Sequence, residues 1–182
     1  MYIRDLKKDF FDVVVTSRVL VLVNSDVDGV CATKILQYLF KCDHVLYTLV
    51  PVHGKKDLFN AFEQNMEGVK YCVLINCGAT LPLLDFFEPD DDVVIFVADS
   101  HRPVDVTNVY NDGQVRLLMK EDPEEAVPDP DILFREEESD EEEEWEEDEF
   151  GERRRRYDET TLMKQREKRE WEAKRNKVNI LL

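Results

Sequence analysis

Apolar residues are common in this 182-residue chain, but they never run on: no segment reaches the roughly 20 consecutive apolar residues that an α-helical membrane span needs. The amino terminus, MYIRDLKKDFFD, also lacks the basic-then-apolar layout of a secretory signal. Cysteine is scarce. The four (Cys31, Cys42, Cys72 and Cys77) form no CxxC pair, which argues against disulfides and zinc. Each lies in or beside an apolar segment, so all four are expected to be small buried hydrophobes in a reducing compartment. The expectation is a soluble, intracellular chain with no membrane partner. Its length allows one domain with a real core plus appendages, and leaves little room for a second full domain.

Basic residues fall short as well, with 24 Lys and Arg against 41 Asp and Glu for a formal charge of −17. The deficit is local. Residues 121–150 hold 18 acids and one Arg, whereas residues 1–120 net −5 and residues 151–182 net +5. These shifts set the expected boundaries: a near-neutral domain over 1–120, an acidic linker over 121–150 and a basic segment over 151–182. The run EEESDEEEEWEEDE repels itself and offers almost nothing apolar to bury, so the linker is expected to be disordered. Residues 158–178 favour helix, with Glu170 and Lys174 at i, i+4 and few large apolar groups beyond Leu162, Met163, Trp171 and Val178. Arg153–Arg156 form a short basic run, a weak signal for nuclear import.

Within the first 120 residues, Ile3, Leu6, Phe10 and Val13 have helical spacing. VLVLV (19–23), HVLYTLVPV (44–52), YCVLIN (71–76) and VVIFVAD (93–99) are rich in β-branched residues, and most lack the alternation of a strand with one wet face. Strands buried on both sides form parallel sheets covered by helices. Ala32, Ile35, Leu36, Leu39 and Phe40 make an apolar helical stripe between the first two strands, and residues 55–67 and 80–87 can supply shorter crossover helices. The series is βαβ, and the expected fold is an α/β, doubly wound, mostly parallel sheet. Residues 106–112 and 114–120, split at Asp112-Gly113, read as a terminal hairpin or a last pair of strands.

In such a sheet, ligands bind beyond the carboxyl ends of the strands. There the sequence places NSDVDG (Asn24, Asp26, Asp28, Gly29), NCG (Asn76, Cys77, Gly78) and DSHRP (Asp99, Ser100, His101, Arg102, Pro103). If Asp26, Asp28, Asp99 and His101 converge, their oxygen-rich chemistry suits Mg²⁺ or Mn²⁺. A plainer reading makes Asp26 or Asp28 the cap of a helix starting near Val30, and His101 a hydrogen-bonded structural histidine. An EF-hand loop fails, because the twelfth position from Asn24 is Ile35. A haloacid-dehalogenase-like site, with Asp26 as nucleophile and Asp28 as acid/base, fits DxDG but wants Ser or Thr where Asn76 stands.

The order of these motifs resembles the DHH phosphoesterases, which include the RecJ exonucleases, with substitutions. Beyond the motifs, NSDVDGVCATKILQYLFKCDHVLYTLVPV, LINCGA, DSHRPVDVTNVYND and REWEAKR, with the position of the acid block, are similar to the cell division cycle protein 45 family, the eukaryotic RecJ relatives. The resemblance implies a DHH/RecJ-type sheet and a non-enzymatic subunit of the replicative CMG helicase. It implies residence in the nucleus, partners in the MCM ring and the GINS complex and, through that complex, contact with single-stranded DNA or replication origins. Position by position, Asp26, Asp28, Asp99 and His101 match retained DHH-type residues. Asn24 and Asn76 fall where active relatives carry Asp, and Ser100 where they carry His. The position of Asn76 is, in active relatives, a carboxylate bridging two metals. At an effective dielectric near 20, a unit charge pair 4 Å apart is worth about 4 kcal/mol, so two lost carboxylates should abolish a two-metal site. The resemblance thus implies no catalytic residue, no metal and no cofactor, with Asn24, Asp26, Asp28, Asn76, Asp99 and His101 as vestigial positions. The contrasting expectation is an active Mn²⁺-dependent phosphoesterase or single-strand exonuclease. The sequence stops at NKVNILL, inside what resembles the start of the family's helical insertion, and is expected to be a fragment or a truncated product.

Overall fold

Valine, leucine and isoleucine put five segments into extended backbone. They are β1 (Val19–Asn24), β2 (Tyr47–Val52), β3 (Tyr71–Ile75), β4 (Val94–Ala98) and β5 (Val115–Leu117), joined in one sheet of order β2-β1-β3-β4-β5. Every pairing is parallel, with Val21 opposite both Leu49 and Val73, and Val73 opposite Phe96. The computed structural model describes residues 1–120 and the backbone of two further strands, β6 (Trp145–Glu147) and β7 (Arg153–Arg155). The chain divides into two compact units, Met1–Ala126 and Val127–Leu182. No helix among the described residues is long and apolar enough to cross a membrane.

Alternation along the strands feeds two separate cores. Val19, Val21, Val23, Val73, Ile75 and Phe96 point to one face, covered by a π-helical turn (Leu6–Phe11), α1 (Asp12–Val14) and α2 (Val27–Cys42). Leu20, Leu22, Cys72, Leu74, Ile95 and Val97 point to the other, covered by α3 (Lys55–Asn65), α4 (Leu83–Phe87) and α5 (Val106–Tyr110). Phe96 anchors the first face, with the Phe10 ring edge-on at 5.0 Å between centroids and the Arg116 guanidinium 5.6 Å from its own. At the β5 edge the chain start adds a short rung: Tyr2 bridges Leu117, Ile3 N–H donates to the Leu117 carbonyl, and Leu117 N–H donates to that of Met1. The Met1 ammonium donates to the carbonyls of Asn108, Asn111 and Val115 at 3.0, 2.8 and 3.1 Å, and burial lowers its pKa.

The α/β, doubly wound, parallel fold matches the expectation from the sequence, and several details differ. Residues 106–110 form α5 instead of a hairpin strand, because Asp105 caps it by accepting from Thr107 N–H at 2.9 Å. The last strand is therefore single and parallel to β4. β2 is the sheet edge and is only partly buried, so the expectation of full burial fails there. In α2 the stripe splits: Phe40 is buried, whereas Ile35 and Leu39 face solvent. Cys31 and Cys42 are exposed on the same helix, contrary to the buried-thiol reading, and only Cys72 is fully buried. β6 and β7 pair antiparallel, Glu146 with Arg154 and Glu147 with Arg153. The rest of residues 121–182, including the expected linker and the helix over 158–178, lies outside the described residues.

Phe96→Ala should cost roughly 3–5 kcal/mol by opening a cavity under the ring. The exposed Leu6→Ala should stay within about 0.5 kcal/mol of the parent, and urea denaturation compares the two.

Candidate functional site

The strand order reverses between β1 and β3, since the chain passes from β1 to β2 on one side and returns to β3 on the other. A doubly wound sheet opens a crevice at the carboxyl ends of the strands at such a switch. Asn24 closes β1, Asn76 follows β3, and Asp99, Ser100 and His101 follow β4, so three of the expected motifs meet there.

Asp26 is the centre of this cluster and the N-cap of α2. Its Oδ1 accepts from the Gly29 N–H at 2.6 Å. Its Oδ2 accepts from the Asn24 side-chain amide and, at 2.7 Å, from that of Asn76. Asn76 sits in the left-handed region at φ 52, a conformation asparagine tolerates better than most residues, and this turn brings its amide back over β1. The Asn76 Oδ1 accepts in turn from the Ser100 hydroxyl at 2.8 Å. The chain from Asn24 to Ser100 is thus one connected set of hydrogen bonds. The Gly29 N–H above all, with the Asn76 and Asn24 amides and the charge of His101, outweighs desolvation and lowers the Asp26 pKa below 3.8.

Asp99 makes a second set. Its side chain is 1% exposed; Oδ2 accepts from the Ala79 N–H at 2.9 Å, and Oδ1 from the His101 N–H at 2.9 Å and from His101 Nδ1 at 2.7 Å. A carboxylate holding Nδ1–H leaves the His101 Nε2 edge toward solvent, the side chain being 53% exposed. Between the two sets, Gly78 takes φ +92, and a Cβ there would meet Leu74 Cδ1 at 2.6 Å, so the glycine of NCG is required by backbone and by space. At Cys77, burial, then the charge of Asp99, pushes the thiol up to about 12.

Asp28, expected to join the cluster, is exposed in the first turn of α2 and takes part in none of these bonds. The helix begins three residues before the expected start, so Asp26 is the capping residue and Asp28 is carried to the outside. Among the described residues, no group of three His, Cys, Asp or Glu side chains could hold a metal ion together. The donor set around Asp26 is one of N–H groups, which fits an anion's needs and not a dication's. Asn108 was not anticipated. It is 1% exposed, accepts from the Leu83 N–H at 3.1 Å and donates to the Leu81 carbonyl at 2.7 Å, tying α5 to the loop that carries Gly78 and Ala79. An asparagine inside VTNVYND carries no signal that would separate it from a turn residue.

A parallel α/β domain with a closed polar network at its switch point is the class these observations define. The sequence pattern of the CDC45 family matches residues 19–179. The human protein named Cell division control protein 45 homolog is 49% identical over 184 residues, covering 98% of this chain and 32% of the human one. The mouse protein of the same name is 47% identical with the same coverage. The crystal structure of CDC45 from Entamoeba histolytica shares the fold at a TM-score of 0.61, with 22% identity over 67% of this chain and 26% of that chain. The chain belongs to the CDC45 family. It spans about a third of the length of the curated relatives it matches.

Two measurements check this geometry. In Asn76→Ala the Asp26 pKa should rise part of the way back toward 3.8, since the Gly29 N–H remains, as read by carboxyl-carbon NMR titration. The sign for stability follows: a lowered carboxyl pKa contributes fully above the ordinary aspartate value and is lost as pH falls through the lowered one, so Asn76→Ala should flatten the acid limb of the stability curve. Asn108→Ala should cost roughly 1–3 kcal/mol in chemical denaturation, because it leaves buried backbone groups unpaired.

Proposed function

We propose that this chain acts in DNA replication without catalysis, as part of a nuclear scaffold subunit that joins the MCM helicase ring to the GINS complex at the fork. Family membership supports the setting, since the curated relatives are named for the control of cell division. The single observation behind the non-catalytic reading is the environment of Asp26. In a two-metal phosphoesterase, carboxylates converge on cations, and here the partners of the carboxylate are two neutral amides and a backbone N–H. Asn24 and Asn76 turn the positive ends of their amide dipoles to Asp26. The network then works as a fastener across the ends of β1, β3 and β4. Asp26, Asp28, Asp99 and His101 remain as vestiges of a DHH-type pocket.

Calorimetric titration with Mn²⁺, beside an assay on single-stranded DNA, tests this. The expected outcome is weak binding at most, no cleavage, and stronger binding by the Asn24→Asp, Asn76→Asp double variant, whose new carboxylates attract the ion. Tight binding by the parent with turnover would replace this reading with the Mn²⁺-dependent exonuclease. Co-purification of the full-length protein with MCM and GINS tests the scaffold role separately.

A further inference from the structure

The sheet has two edge strands, β5 and β2, and the chain treats them differently. β5 is met on its outer side by Tyr2, which bridges Leu117, and by Ile3, whose N–H donates to the Leu117 carbonyl. Among the described residues, no strand pairs with the outer side of β2. An open edge presents a row of unpaired N–H and C=O groups to which another chain can add. β2, YTLVPV, has no charged side chain to discourage this, and its Tyr, Thr and Val residues favour extended backbone. Leu49 in the strand and Leu46 just before it are exposed as well.

The register decides which backbone groups face outward. Val19 N–H donates to the Leu46 carbonyl at 3.0 Å and Ser25 N–H to the Val52 carbonyl at 3.2 Å, so the even-numbered positions are turned toward β1. Backbone groups along a strand alternate between its two sides, which turns Thr48 and Val50 inward as well, and Tyr47, Leu49 and Pro51 outward. Pro51, opposite Val23 and exposed, therefore stands where the last outward N–H of the strand would be. It takes no bond away from the pairing with β1. On the outer side it offers no donor, and its ring fills the space that an incoming strand needs. Two copies of β2 meeting antiparallel about a two-fold axis at Leu49 would set Tyr47 of each against Pro51 of the other, so both outer rungs would lose a donor and gain a ring. We propose that Pro51 is the block that keeps the open β2 edge from adding a strand, and above all a second copy of this chain. The sheet thus protects one edge by covering it and the other by withholding a donor.

Pro51→Thr restores the donor and supplies a side chain suited to a strand. Light scattering on the 182-residue chain should give Pro51→Thr, at high concentration, a mass roughly twice the parent's as two-fold dimers form. Adding Leu49→Pro to Pro51→Thr moves the block to the preceding outward position, and should return the mass to the parent's with the Val50 N–H still protected from exchange. Amide exchange also reads the edge without any substitution. In the parent, Tyr47 and Leu49 N–H should exchange freely while Val50 and Val52 N–H are protected, and in Pro51→Thr the Leu49 N–H should slow about tenfold or more once dimers form. A folded Pro51→Thr chain with the parent's mass at every concentration would overturn the proposal. Association that persists in the double variant would place the contact elsewhere on the surface, and loss of Val50 protection there would mean that position 49 faces β1; both overturn it. A parent whose Leu49 N–H is already protected would have an occupied edge, and a Pro51→Thr chain that no longer protects Val50 would need the proline for β2 itself; either result also rejects the block.

Discussion

The Asp26 carboxylate gathers N–H groups from three elements: two close in sequence, the last residue of β1 and the first turn of α2, and one 50 positions away, the residue after β3. Each of these donors needs an acceptor, and each is set at the carboxyl edge of a parallel sheet, where backbone pairing ends. One anion therefore fixes the entry angle of α2, the turn at Asn76 and, through that amide, the position of Ser100. The adjoining Asp99 holds the Gly78–Ala79 turn and the His101 ring in the same manner. At the switch point of the sheet, side chains of the protein hydrogen-bond to one another across the ends of β1, β3 and β4.

A network of this kind depends on the frame below it. Two cores on opposite faces hold β1 and β3 without freedom to shift register, because a slip by one residue would exchange the Val19/Val21/Val23 set with the Leu20/Leu22 set. With the strands locked, the ends of β1, β3 and β4 arrive at fixed spacing, and short side chains such as Asn and Asp can reach one another.

The fold was legible in the sequence because burial on two faces imposes near-continuous apolar strands, a pattern that survives without any tertiary knowledge. The motifs at the strand ends were legible for a related reason: in a parallel sheet all carboxyl ends lie on one edge, so NSDVDG, NCG and DSHRP had to be neighbours. What could not be read was direction within that edge. Whether Asp26 or Asp28 faces the crevice depends on where α2 begins, and a shift of three residues turns one inward and the other out. The exposure of Cys31, Ile35 and Cys42 was hidden by the same limit, since an apolar helix gives no sign of which of its faces the sheet will take. At 106–110 the β-branched and aromatic residues ahead of Asp112-Gly113 favoured a strand, and a single capping aspartate, Asp105, together with the buried amide of Asn108, turned it into a helix.

The rung formed by Tyr2 and Ile3 on Leu117 joins segments from opposite ends of the described residues 1–120. A contact of such high sequence separation has to offset a large loop-closure entropy and is correspondingly slow to form. The βαβ units can pair their strands beforehand, so the outer edge of β5 is the part of this sheet expected to be covered last.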